Sequence, residues 1–148
     1  AEDLGGEDSP LVQDLILKTG FPNMKVLHFA FDSDLSDTFL PRNFPNNCIC
    51  YTGTHDNDTT LGWYQKLSQK EKIMFEKLVP KKYSSPVLNL ISFAMKSRAK
   101  TVIIPMQDYL QLNSDCRTNT PGTQSKNWCW RLKKSDLTPQ LKKLIKDI

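Results

Sequence analysis

The chain has 148 residues, of which 39% are hydrophobic and 24% charged, with a net charge of +4. That length supports one domain with a buried core over residues 1–148 and is short for two, and the apolar content is that of a packed chain rather than a disordered one. No apolar run approaches the roughly 20 residues of a membrane-spanning helix, and no signal-peptide pattern opens the chain, so neither a membrane protein nor an exported one is expected.

Ala1 leads straight into Glu2, Asp3 and Leu4 without an initiator methionine, a start that reads as a cut. Ser9 and Pro10 then supply an N-cap and a first-turn proline, Leu11, Val12, Leu15 and Ile16 share a face, and Gly20 can close a helix over 10–19. An apolar and aromatic run over 25–31 has the length of a strand, and a second strand is predicted over 48–52. Thr59 or Asp58 can cap a helix carrying Leu61, Trp63, Tyr64 and Leu67, and a further helical stretch spans 70–78. Ser85 and Pro86 repeat the cap-plus-proline signal before Leu88, Ile91, Phe93 and Met95. The β-branched stretch 101–105 reads as a third strand, buried on both faces and ended by Pro105. Leu137, Leu141, Leu144 and Ile145 recur at helical spacing, which makes the C-terminal segment an amphipathic helix with lysines on its wet face.

Strands separated by helices imply right-handed crossovers and a parallel sheet, hence an α/β fold. Three strands cannot close a barrel, and a complete eight-stranded α/β barrel takes about 250 residues. The expectation is therefore an open sheet or a piece of a barrel, and the polar clusters described below favour the last strands and helices of a partial (β/α)8 TIM barrel.

Charge is unevenly spread. Residues 1–60 hold ten Asp or Glu against three Lys or Arg, and the rest hold six against seventeen. The basic half lacks the interleaved aromatic residues of a base-reading surface, so nucleic acid is not an expected partner. Cys48 and Cys50 lie two apart in an apolar run while Cys116 and Cys129 sit in a polar segment, a distribution that suits free thiols in a reducing cytosol better than disulfides or a zinc site.

In a parallel α/β fold, reacting groups collect at the carboxyl ends of the strands. Three polar clusters occupy such places: Thr54, His55, Asp56, Asn57, Asp58 and Thr59 after the second strand, Gln107 and Asp108 after the third, and Glu2 and Asp3 at the chain start. Turns and helix caps use the same residue types, so the clusters alone do not decide between structure and chemistry.

The segment GTHDNDTT at 53–60 resembles the stretch of the amylomaltase and disproportionating-enzyme family, the 4-alpha-glucanotransferases, that carries a substrate-holding His and the third catalytic carboxylate. AEDLG at 1–5 resembles the family's acid/base segment, GFPNMKVLHFAF at 20–31 its next strand, and LPRNFP at 40–45 the loop that follows. IPMQD at 104–108, RTNTPG at 117–122 and NWCWR at 127–131 are similar to its final segments. Order and spacing agree along nearly the whole chain.

The resemblance implies a retaining transfer of α-1,4-glucan segments, in which a carboxylate nucleophile forms a glycosyl-enzyme and a second carboxyl, about 5 to 5.5 Å away, protonates the leaving oxygen. It makes Glu2 the acid/base and Asp56 the third carboxylate, gripping donor hydroxyls and stabilising positive charge at the ring. His55 would bond the same sugar, and Asp3, Phe29 and Asn119 align with positions near substrate. No cofactor is implied, and the expected partner is an α-1,4-glucan or maltooligosaccharide. The expected location is cytoplasmic, or plastidial in a plant source.

Several residues keep a structural expectation or depart from the family pattern. His28, where the family usually has Gln, is expected to be a packing histidine, and Trp63, Trp128 and Trp130 to be core. Lys126 stands where glycine is common, Cys116 replaces a small residue, and the loop 5–10 is about one residue longer than usual. The family's nucleophilic Asp belongs to an Arg-x-Asp segment that these residues do not contain, so the 148 residues alone are expected not to transfer glucan. A binding-only glucan module is the rival expectation. A piece of a barrel also exposes sheet edges, which favours self-association.

Overall fold

The computed structural model describes residues 10–31 and 38–148. The elements run α1 (Pro10–Thr19), β1 (Asn23–Val26), β2 (Cys48–Tyr51), α2 (Thr60–Lys66), α3 (Gln69–Leu78), α4 (Pro86–Met95), β3 (Thr101–Ile103), α5 (Met106–Tyr109) and α6 (Pro139–Asp147), with short 3-10 turns between them. The three strands form a parallel sheet in the order β1-β2-β3. Among the described residues no helix is long and apolar enough to cross a membrane.

Local sequence explains most boundaries. Gly20 ends α1 with a φ of +69°, donating its N–H to Ile16 O at 3.1 Å, the left-handed closure that glycine makes without steric cost. The Thr59 hydroxyl accepts from Gly62 N at 3.1 Å to start α2. Ser68 and Glu71 form a reciprocal capping box on α3. Ser85, followed by Pro86 in the first turn, opens α4, which buries seven of its ten residues. Thr138 caps α6 in the same way.

The main core gathers Leu27, Phe31, Phe44, Cys48, Cys50, Phe75 and Leu90, with Trp63 and Tyr64 packed against it. Cys48 and Cys50 point to one face of β2, are fully buried and form no disulfide. Burial, together with the neighbouring Cys48, pushes the Cys50 thiol up to about 12. A second cluster joins Val87, Leu88 and Ile91 of α4 to Tyr109 and Leu144.

Four elements depart from the sequence expectations. The first strand stops at Val26, and residues Leu27–Phe31 wind into a 3-10 turn that buries Leu27, His28, Ala30 and Phe31. A continuous apolar run carries no alternation from which to tell the two apart. The strand β3 is not buried on both faces, since Thr101 and Ile103, which share one face, are exposed. Helix α1 buries Ile16 but leaves Leu11, Val12 and Leu15 in solvent. On α6, Leu141 is buried while Leu137 and Ile145 are exposed.

A candidate sugar-binding cleft at the carboxyl end of the sheet

Chain order brings two loops to the same end of the parallel sheet: residues 52–59, which leave β2, and residues 104–119, which leave β3. Their shared anchor is Asp108, which is 1% exposed. Its Oδ2 accepts from the Thr52 hydroxyl at 2.6 Å and the Thr60 hydroxyl at 2.7 Å, and its Oδ1 accepts from Thr60 N at 2.8 Å. One carboxylate thus clasps both ends of the loop between β2 and α2. Burial pushes the Asp108 carboxyl above its ordinary value, and the three donors oppose that rise.

His28 completes this buried layer. Its Nε2 lies 3.0 Å from the Thr60 hydroxyl and its ring stacks on Trp63 at 4.4 Å with an interplanar angle of 5°. Because the Thr60 hydrogen is directed at Asp108, the His28 Nε2 donates and Nδ1 carries the lone pair. Nδ1 has no hydrogen-bond partner. Burial depresses His28 to about 3, outweighing the opposite pull of the Asp58 charge. Gly53 passes so close that a Cβ there would stand 2.7 Å from His28 Cε1, so this position excludes a side chain. The packing role expected of His28 and Trp63 is what the structure shows.

The loop itself is a tight turn. Asn57 Oδ1 accepts from both the N–H and the hydroxyl of Thr54 at 2.8 Å, and Asp56 N donates to that hydroxyl at 3.2 Å. Asp58 looks inward, accepting from Lys66 Nζ at 2.5 Å, Ser114 Oγ at 2.8 Å and Thr59 N at 2.8 Å. Burial alone would raise the Asp58 carboxyl, but Lys66, Ser114 and Thr59 together hold it below its usual value. The neighbouring Gly62 is required by this cluster, because a Cβ would collide with the Ser114 hydroxyl and stand 2.7 Å from Asp58 Oδ1.

With Asn57 and Asp58 committed to structure, His55 and Asp56 are turned outward, with side chains 54% and 48% exposed. Asn119 donates Nδ2 to Asp56 Oδ1 at 2.5 Å, and its backbone N–H donates to His55 O at 3.0 Å. His55 Nε2 lies 3.4 Å from Asp56 Oδ1. The sequence candidates His55, Asp56 and Asn119 therefore form one group although 63 positions separate the carboxylate from the amide. Beside them is a cleft of about 150 Å³ lined by Thr54, His55, Pro105, Gln107, Asp108 and Arg117, among others. Phe29 stands apart, half-buried on the turn after β1, with its ring edge-on to Phe39 at 5.5 Å. Glu2 and Asp3 lie outside the described residues.

Two residues of this group were not among the sequence candidates. Arg117, in the quoted RTNTPG segment, donates Nη2 to Asp56 O at 2.5 Å and Nε to Asn119 O at 2.7 Å. Trp128 is not core: it is 57% exposed, with its ring 5.0 Å from that of His55. The alternation at 128 and 130 suggested a packed face, but Trp128 has a φ of +60°, which breaks the extended geometry that argument needs. Lys126 has a φ of +62°, which explains why glycine suits that position and makes the lysine a strained substitute.

The sequence profile of the 4-alpha-glucanotransferase family matches residues 1–138. The 4-alpha-glucanotransferase of Synechocystis sp. is 49% identical over 138 residues, covering 88% of this chain and 26% of that protein. The chloroplastic/amyloplastic 4-alpha-glucanotransferase of Solanum tuberosum is 44% identical over 149 residues, covering 97% of this chain and 26% of its own length. Among solved structures, the amylomaltase from Streptococcus agalactiae in complex with acarbose superimposes with a TM-score of 0.92 at 34% identity, over 99% of this chain and 30% of that one. The chain thus spans between a quarter and a third of the length of these relatives, and its three parallel strands are a segment of a barrel. By the profile over residues 1–138 and by these likenesses, the chain belongs to the 4-alpha-glucanotransferase family.

Proposed function

We propose that the chain supplies the acid/base and sugar-gripping side of an active site that transfers segments of an α-1,4-glucan to glucose or another glucan. The observation that carries this is the outward pair His55 and Asp56, braced by Asn119 at the carboxyl end of a parallel sheet while the neighbouring Asp58 and Asp108 are consumed by structure. A partly exposed carboxylate with one amide donor keeps acceptor sites free for two hydroxyls of a pyranose. It also sets a negative charge where an oxocarbenium-like ring develops a positive one. His55 adds a ring nitrogen for the same sugar, and Trp128 offers an apolar face beside it.

In this mechanism Glu2 protonates the leaving glycosidic oxygen and later takes the proton from the incoming hydroxyl, so that a glucosyl ester on the nucleophilic Asp forms and is then released to the acceptor. Asp3 and Phe29 extend the sugar contacts. That nucleophile is absent from these residues, so the 148-residue chain alone is inactive. The open edge of β3 gives the isolated chain a route to self-association. The enzyme works in the cytosol, or in the plastid where the source is a plant.

The test is disproportionation of maltotriose into glucose and longer maltodextrins. The 148-residue chain produces neither. The same residues within a complete barrel, as a full-length protein or fused to the preceding part of a relative, produce both, and Asp56→Asn in that context lowers turnover by about 100-fold or more. Glucose release by the isolated chain, or parental turnover in the variant, contradicts the proposal.

A further inference from the structure

Arg117 touches neither carboxylate oxygen of Asp56. What it holds is backbone. Its planar guanidinium spans two carbonyls, Asp56 O through Nη2 at 2.5 Å and Asn119 O through Nε at 2.7 Å. The two residues so gripped are the ones whose side chains meet, Asn119 Nδ2 donating to Asp56 Oδ1. The fork therefore fixes the peptide planes on either side of that contact. Arg117 is itself fixed from behind: its N–H donates to Ser114 O at 3.1 Å, and the buried Gln107 donates Nε2 to Cys116 O at 3.2 Å and to Thr118 Oγ1 at 3.1 Å.

We propose that Arg117 is a positioning residue for Asp56, setting the orientation of that carboxylate toward the sugar by clamping its backbone to that of Asn119. The inference rests on the reading of Asp56 given above and adds to it the side chain that aims the carboxylate. The turn 54–57 gives such a clamp its use. Asn57 ties the turn to itself and Asp108 fixes the two ends of the loop, while the bonds that join its outward tip to the facing loop come from Asn119 and Arg117. Arginine is the suitable side chain because two N–H groups in one rigid plane reach two carbonyls at once. A lysine ammonium is a single point donor and cannot hold both in a fixed relation.

The experiment is a double-mutant cycle in a complete catalytic chain carrying these residues, with maltotriose turnover as the readout. Acarbose affinity by calorimetry serves as a second readout where turnover in the Asp56→Asn background falls below detection. Arg117→Gln and Arg117→Lys are each expected to lower kcat by about tenfold or more in the parent, as a displaced catalytic group does. In the Asp56→Asn background the same substitutions cost less than about twofold further, because an effect exerted through Asp56 vanishes with it. Equal fold-losses in both backgrounds would show a general structural role and overturn the proposal alone. Parental turnover in Asp56→Asn would overturn the reading of Asp56 and this proposal with it. Should Arg117→Gln not fold, the lysine variant, which keeps charge and length, carries the same cycle.

Discussion

Asp108 and Asp56 stand at the same end of one parallel sheet, each just beyond a strand, and they are used in opposite ways. Asp108 is 1% exposed, with three donors converging on its two oxygens, and it staples β2, α2 and α5 together. Asp56 has a side chain 48% exposed, one amide donor and a backbone gripped by Arg117. A carboxylate buried under three protein donors has little acceptor capacity left and no access to a substrate, whereas one oriented by few donors at the rim keeps both. The difference separates the carboxylate that shapes the cleft from the one that can act in it, and it does so by counting acceptor sites rather than by distance from the sheet.

That contrast can be broken or sharpened by substitution. The largest loss of stability is expected for Asp108→Asn. The amide keeps one acceptor and turns a donor toward hydroxyls and an N–H that already donate, at a cost of about 3 kcal/mol in urea unfolding. Asp56→Asn, in contrast, changes unfolding free energy by less than about 0.5 kcal/mol, as surface substitutions do, while removing transfer activity. A destabilised Asp56→Asn with a neutral Asp108→Asn would reverse the assignment of the two roles.

A smaller effect tests the neutral histidine beneath the loop. His28 has a folded value of about 3, below its ordinary 6.5. Between those values the unfolded chain binds a proton that the folded chain refuses, so stability falls as pH falls through that window. Replacing His28 with Gln removes the dependence, and relative to pH 7 the variant should gain about 2 kcal/mol over the parent at pH 5 in paired urea titrations. Asp108, raised by burial, contributes with the opposite sign, and Asp58, lowered, acts only below the ordinary carboxylate range, so the difference between the two proteins isolates His28. Equal acid-side slopes would mean that His28 is protonated in the folded protein.

Two helix starts were legible in the sequence because caps are local: Thr59 and Ser85 each accept the bond that their position foretells. The parallel pairing of β2 and β3 followed from the helices between them, whereas β1 and β2 run parallel with only 3-10 turns described between them, and GTHDNDTT marked His55 and Asp56. The rest was not local. The 3-10 turn at Leu27–Phe31 replaces a strand because His28 and Phe31 pack on Trp63, a contact made across more than thirty positions. Arg117 carries no signal of its own, since its partners are backbone oxygens that any residue presents. Trp128 misled by spacing alone, and only its φ of +60° shows why the ring turns outward toward His55.

The convergence of Glu2 with Asp56 is central to the proposed transfer, and its direct measurement is a crystal structure of a complete barrel carrying these residues with acarbose bound. The prediction is that the carboxyl groups of Glu2 and Asp56 lie against the same saccharide, with Asn119 and Arg117 holding Asp56 as seen here. Carboxyl groups on opposite sides of the molecule, with no sugar between them, would contradict it.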